Sequence, residues 1–269
     1  MLEDIARELA GEVVFPTYFD ALLRLKEAIQ NPNHSLRSIA TMLSIEPLIS
    51  AKILHLANSV AYNPAGNVVK DLKSAVTRVG INAVRSAVMS IILTQIRRSK
   101  GMAEFSDITQ NLWEHSVRTA AAAQIISKKL TTLNAEEAML AGLVHDLGAF
   151  YMLYRATQYE ELRSRPDSLR YLIINWHESI GASLLNALGL PEEIVQASVD
   201  HDHPRPAPTP PRNFSDVIYI ANMLAGGHFE WLMQEKPEPG DLMSELELHY
   251  GYLLPEIETL SNEMHQLFS

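Results

Sequence analysis

Five residues of this 269-residue chain have the types and settings to hold a metal ion: His115, His145, Asp146, His177 and His201. Each imidazole offers an in-plane nitrogen lone pair and the carboxylate offers anionic oxygen, a donor set that suits Fe, Mn, Zn or Ni without choosing among them. Other histidines have blander settings. His34, His228, His249 and His265 lie near helix ends, loops or polar neighbours, and His55, on a helix beside Leu54 and Leu56, reads the same way; all five are expected to be solvated.

The helical period sets the candidates apart. Ile108, Leu112, His115, Thr119, Ala122 and Ile126 form one stripe, so His115 is expected on a core-facing side. Ile173, Ile174, His177, Ile180, Gly181 and Leu184 form a second, and Ile194, Ala197, Ser198 and His201 a third. Ile218, Ala221, Asn222 and Ala225 do the same for Asn222. His145-Asp146 sits inside the apolar run AGLVHDLGAFYML, where a carboxylate is costly unless it is paired or bound to a cation. Successive helical residues point about 100° apart, so the pair would reach one ion from two directions. The histidines are separated by 30, 32 and 24 residues, on separate helices, and convergence on one ion explains them more economically than four coincidences. An ion-free network, with imidazoles donating to Asp146, is the competing reading.

The elements that must position these residues read as helices throughout. Phe15-Pro16 precedes a stripe of Phe19, Leu22, Leu23 and Ile29; Ser35 can cap a helix over 36–43; Pro47 opens one ending near Asn58-Ser59. Ser74 can cap a helix stopping at Gly80, and Asn82 one over 83–98. A polar stretch from Gly101 to Asp107 marks a lobe boundary, with residues 1–105 before it and 106–269 after. Beyond it come a long helix to Leu130, one capped by Asn134, one capped by Ser168 and stopped by Gly189, and one from Pro191 to about His201. The proline-rich 204–212 stretch is a loop, read as a linker. Helices follow over 213–226 and, after the PEPG break, from Pro255. The expected fold class is all-α: an N-terminal helical bundle lobe packed on a second helical lobe.

Composition narrows the function. With no Cys, thiolate zinc sites, iron–sulfur clusters, disulfides and Cys nucleophiles are excluded. A net charge of −10 argues against sequence-independent nucleic-acid binding, which needs clustered Lys and Arg. The N-terminus lacks a signal peptide's basic start and apolar run, and Ser86 to Ile96, the longest apolar stretch, is short of the ~20 residues a membrane span needs. A cytoplasmic protein with no membrane partner is the expectation.

The pattern resembles the HD superfamily of metal-dependent phosphohydrolases, and more specifically the HDOD family, the HD-related output domain of bacterial signalling proteins. FPTYFDALLRLKEAI, SLRSIATMLSIEPLISAKILHLANSVAY (with Glu46-Pro47 and Asn58-Ser59) and LKSAVTRVGINAVRSAVMS carry the N-terminal half. LWEHSVRTAA, AGLVHDLG, WHESIGASLLNALGLPEEIV and HDHP carry the rest, over about residues 14–205. The resemblance implies an HD-type second lobe and places His115, His145, Asp146, His177 and His201 at metal-ligand positions. Asp202 stands where related phosphodiesterases have a second His, Asn222 where the catalytic pattern ends in Asp, Ala149 where those enzymes carry Lys, and Asn111 where some carry a Glu ligand. It thus implies a signalling or regulatory protein that works through a protein partner and keeps a divalent-metal site including Asp202. The alternative is a phosphohydrolase acting on a nucleotide or other phosphoester. In that case Asp146 and Asp202 would be catalytic, and Arg118, Lys128 and Arg205 are the cations available for phosphate.

Overall fold

The computed structural model describes residues 1–10, 23–25, 27–28, 35–44, 47–227, 229, 232 and 241–268. Phe15, Pro16, Phe19, Leu22, Ile29, His34, Glu46, His228 and the PEPG segment lie outside the described residues. The regular elements among the described residues are all helices, with no strand, as the periodicity predicts. They fall into two compact units: Phe15–Gln95 with His265–Ser269, and Met1–Val14 with Ile96–Met264.

In the first unit, α2 (Leu36–Leu43), α3 (Pro47–Asn58) and most of α4 (Leu72–Arg97) supply the core. Asn58 pins the loop after α3: its side-chain amide donates to Val69 O (2.8 Å) and its Oδ1 accepts from Val69 N (2.8 Å). Asp71, rather than the expected Ser74, caps α4 by accepting the Ser74 N–H at 2.9 Å. The break expected at Gly80 is present as a kink within one helix, with Gly80 at φ 81°, a conformation that side chains with a Cβ rarely adopt. As folded, α4 is long and apolar enough, by length and composition, to cross a membrane, a possibility that Ser86–Ile96 alone did not suggest; 67% of its apolar window is buried inside the protein.

The second unit contains α1 (Leu2–Ala10) and a 3-10 turn over Lys100–Phe105. It continues with α5 (Ser106–Leu130), α6 (Ala135–Val144), α7 (Leu147–Ala156), α8 (Glu160–Arg163), α9 (Pro166–Ala187), α10 (Glu192–Ala197), α11 (Phe214–Ala225), α12 (Asp241–Tyr250) and α13, the last starting at Leu254. Asn134 caps α6 through Glu136 N (2.9 Å) and Glu137 N (3.2 Å), and Asn213 caps α11 through Asp216 N (2.8 Å). Pro166 opens α9, two residues before the expected cap at Ser168, because a proline fits the first helical turn where no N–H is needed. Residues 204–212 contain no helix, as their prolines require.

Two close helix approaches place the candidate residues. A Cβ on Gly142 would sit 2.8 Å from Ala120 Cα and 2.8 Å from Thr119 O, so α6 lies against the backbone of α5. A Cβ on Gly148 would sit 1.9 Å from His177 O and 2.6 Å from Gly181 N, so α7 crosses α9 at backbone distance. The first approach brings His145 to His115 and the second brings Asp146 to His177. Gly148→Ala should therefore lower stability by about 3 kcal/mol, the upper end of ordinary overpacking. Gly251→Ala, whose new Cβ would meet only Glu247 Cβ at 3.8 Å, serves as control. Thermal unfolding of the two variants measures the difference, and equal melting temperatures would contradict the backbone crossing.

Candidate metal centre

α6 ends at Val144 and α7 begins at Leu147. His145 closes one helix (φ −55°, ψ −35°) and Asp146 opens the next (φ −98°, ψ 19°). The pair thus occupies a helix break rather than successive positions of one helix, which corrects the helical premise of the 100° expectation. The break lets the two side chains converge at 3.3 Å, His145 Nε2 to Asp146 Oδ2.

Three imidazoles are oriented in the same way. His145 Nδ1 donates to Gly142 O (2.8 Å), His177 Nδ1 to Ile173 O (2.9 Å) and His201 Nδ1 to Ser198 O (3.0 Å). A ring hydrogen held on Nδ1 leaves the Nε2 lone pair for a ligand. His201 reaches this place from a turn, because α10 stops at Ala197 rather than near His201. Asp200 in that turn has φ 60°. The Ile174 side of the α9 stripe faces outward (39% exposed), while His177 is buried.

The Nε2 atoms meet in two groups that share Asp146. His115 Nε2 lies 3.3 Å from His145 Nε2 and 3.8 Å from Asp146 Oδ2. On the other side His177 Nε2 lies 3.4 Å from His201 Nε2, and each is 3.4 Å from Asp146 Oδ1. Asp202 Oδ2 joins this second group, 3.3 Å from His177 Nε2 and 3.6 Å from His201 Nε2. Within each group the donor atoms lie within 4.8 Å of one another. All six side chains are buried.

The donor set fits a cation. Neither Asp146 oxygen has a well-formed hydrogen bond, although the residue is 1% exposed. Ring nitrogens facing each other at 3.3 and 3.4 Å repel unless a proton or a cation lies between them. Proton affinities are strongly perturbed. Burial pushes His145 down to about 3 against the pull of Asp146. Burial alone would push Asp146 up, but the surrounding His145, His201 and His177 outweigh it and hold the carboxyl below the usual carboxylate range. Burial likewise opposes charge on His201 and His177; Asp202 and Asp146 outweigh it, lifting His201 to about 10 and raising His177 as well. Clusters perturbed in this way by burial and specific charges are typical of functional sites.

A residue that the sequence patterns did not single out belongs here. Glu178 Oε1 accepts the Asp202 N–H (3.2 Å) and lies 3.5 Å from His201 Nδ1. Its signal was adjacency to His177 on the same helix. Asn222 is fully buried, as its stripe predicts, and its amide donates to His201 O (3.2 Å) and Asp202 Oδ1 (2.8 Å). Asn111 is exposed. The candidate phosphate cations are otherwise engaged or distant. Arg118 faces Glu258 at 3.8 Å, and Arg205 lies over the Tyr219 ring and donates to Ser215 O. Lys128 is exposed thirteen residues beyond His115 on α5, about 20 Å along the axis.

A sequence profile of the HDOD domain matches residues 15–204. The chain belongs to the HDOD family. Solved structures show the same fold. A candidate metal-dependent phosphohydrolase from Shewanella amazonensis SB2B is 22% identical, with 100% of this chain and 98% of that one aligned and a TM-score of 0.72. An HDOD domain protein of unknown function from Geobacter sulfurreducens is 20% identical over 98% and 95% of the two chains, with a TM-score of 0.61. A candidate signal transduction protein from Marinobacter aquaeolei VT8 is 18% identical over 94% of this chain and 59% of that one, with a TM-score of 0.54. An uncharacterized protein of Treponema pallidum (strain Nichols) is 26% identical over 216 residues, which are 75% of this chain and 40% of that protein, so this chain spans well under half of that relative. In this HDOD chain Ala149 lies buried in the first turn of α7, where it offers no cation, and Asn222 presents an amide in place of a carboxylate.

Proposed function

We propose that this HDOD protein is a cytoplasmic bacterial signalling or regulatory protein that retains a divalent-metal centre and works through a protein partner. One observation carries the metal reading: inward-facing Nε2 atoms gather on both sides of a buried Asp146 whose oxygens have no well-formed hydrogen bond. His115, His145 and Asp146 would hold one ion, and Asp146, His177, His201 and Asp202 a second, with Fe, Mn, Zn and Ni all suited to these donors. The absence of a cation at Ala149 and of a carboxylate at Asn222 supports regulation over turnover. The net charge of −10 speaks against nucleic acid as the partner.

A metal-dependent phosphohydrolase acting on a nucleotide or other phosphoester is the second reading, favoured by the buried His and Asp side chains gathered around Asp146. A divalent ion there supplies Lewis-acid polarisation of a phosphoryl oxygen. The chain's own contribution would be to hold Asp146 ionised and to present Asp202, 7% exposed, as the carboxylate able to take a proton.

Purified without an affinity-tag metal, the protein is expected to carry two divalent ions per chain by elemental analysis, and His145→Ala to lose the ion on its own side. A wild type that binds no metal after supplementation would overturn the reading. A screen against nucleotides, cyclic dinucleotides and phosphoesters separates the two functions: metal-dependent turnover abolished by Asp146→Ala would reject a purely regulatory role.

A further inference from the structure

Asp202 is the carboxylate whose placement the fold explains least readily. It lies in the turn after α10, two residues beyond the left-handed Asp200, and not on a helix. A side chain on a turn ordinarily samples several rotamers, yet two contacts hold this one. Its backbone N–H donates to Glu178 Oε1 on α9 at 3.2 Å. Its Oδ1 accepts from Asn222 Nδ2 on α11 at 2.8 Å. With Oδ1 held, Oδ2 is turned to His177 Nε2 (3.3 Å) and His201 Nε2 (3.6 Å). The same Asn222 nitrogen donates to His201 O at 3.2 Å. Both amide hydrogens are thus spent on the two consecutive residues that carry the second half of the centre.

We propose that Asn222 is a positioning residue: its amide holds the turn of His201 and Asp202 so that Asp202 Oδ2 serves as the carboxylate ligand of the His177–His201 half. This rests on the two-ion reading above. The residue type matters because only a donor can do it. Alanine at position 222 would remove both hydrogen bonds and release the turn. Asn222 is fully buried, so no solvent hydrogen bond replaces the lost ones.

The test is a titration of metal-free protein with Co(II), following the cobalt absorption bands and the heat of each equivalent. Wild type should take two equivalents. Asp202→Asn, nearly isosteric, should lose the one bound by the His177–His201 half, which identifies that equivalent whichever half fills first. Asn222→Ala should weaken the same equivalent by at least about tenfold, the scale on which residues behind metal ligands act. The other equivalent should keep its affinity and spectrum. Equal losses at both equivalents in Asn222→Ala would mean that Asn222 only supports the core, and would overturn the proposal. So would an Asn222→Ala protein unchanged at both equivalents, or an Asp202→Asn protein that keeps both. Should Asn222→Ala fail to fold, Asn222→Ser, too short to reach both acceptors, is read by the same criteria. A wild type that takes fewer than two ions overturns the two-ion reading and this inference with it; a wild type that takes two with insensitive variants overturns this inference alone.

Discussion

Asp146→Asn is expected to empty both halves of the centre at once, whereas His115→Ala should empty one half and leave the other. The reason is geometric. Oδ2 of Asp146 faces His115 and His145, while Oδ1 faces His177 and His201 at 3.4 Å each. An amide keeps the shape of the side chain but brings a hydrogen-bearing nitrogen to one side and removes the charge from both. The metal-free protein should suffer too. Asp146 is 1% exposed and faces imidazoles whose protons its charge helps to hold. Removing one partner of a buried charge cluster costs about 3–5 kcal/mol. Ions per chain by elemental analysis, and denaturant unfolding with and without metal, measure the two effects. An Asp146→Asn protein that keeps one full equivalent at wild-type affinity would show that the carboxylate does not join the halves.

The histidine faces of the long helices were legible because burial along a regular helix repeats every 3.6 residues. His115 and His177 lie where their stripes place them, and Asn222 with them. What was not legible arises where the helix stops. Little in AGLVHDLGAFYML marks the break at His145-Asp146: no Gly or Pro stands there, both flanks are apolar, and Asp146, an N-cap residue type, makes no side-chain cap bond. His201 reached the cluster through a turn with Asp200 at φ 60°, although its sequence stripe runs on as if helical. Caps are ambiguous in sequence for a different reason. Asp71 and Ser74 both have side-chain oxygens near the start of α4, and which one accepts depends on where the preceding loop enters. Glu178 does not stand out in the sequence because a charged residue beside a core-facing one usually marks the solvated edge of a helix. Here that edge abuts the turn of Asp202. Asp202 itself carried no periodic signal and came only from the HDHP resemblance.

Metal uptake should release protons and strengthen steeply with pH, while the metal-free protein should be most stable near pH 6.5. Without an ion, the charges of Asp146 and Asp202 hold a proton on His201, raised to about 10, and raise His177 as well. Ligation requires both rings to be neutral at Nε2, so an ion entering that half at neutral pH displaces the proton that His201 holds. Apparent affinity should then climb by about tenfold per pH unit for each proton displaced, until His201 loses its proton unaided. The stability of the metal-free state follows from the same groups. His201 has a folded value above its ordinary 6.5, so its contribution is complete below pH 6.5 and is lost as pH rises through about 10. His145 is shifted the other way, to about 3; the unfolded chain takes up a proton below 6.5 that the folded chain refuses, so stability falls as the solution is acidified. Asp146, held below its ordinary 3.8, adds a further loss at the acid end of that range. The opposing slopes meet near pH 6.5. Calorimetric titration in buffers of different ionisation enthalpy counts the protons released, and melting temperatures of metal-free protein from pH 5 to 9 trace the maximum. An affinity independent of pH between 6 and 9 would mean that protons do not hold the site that the metal takes.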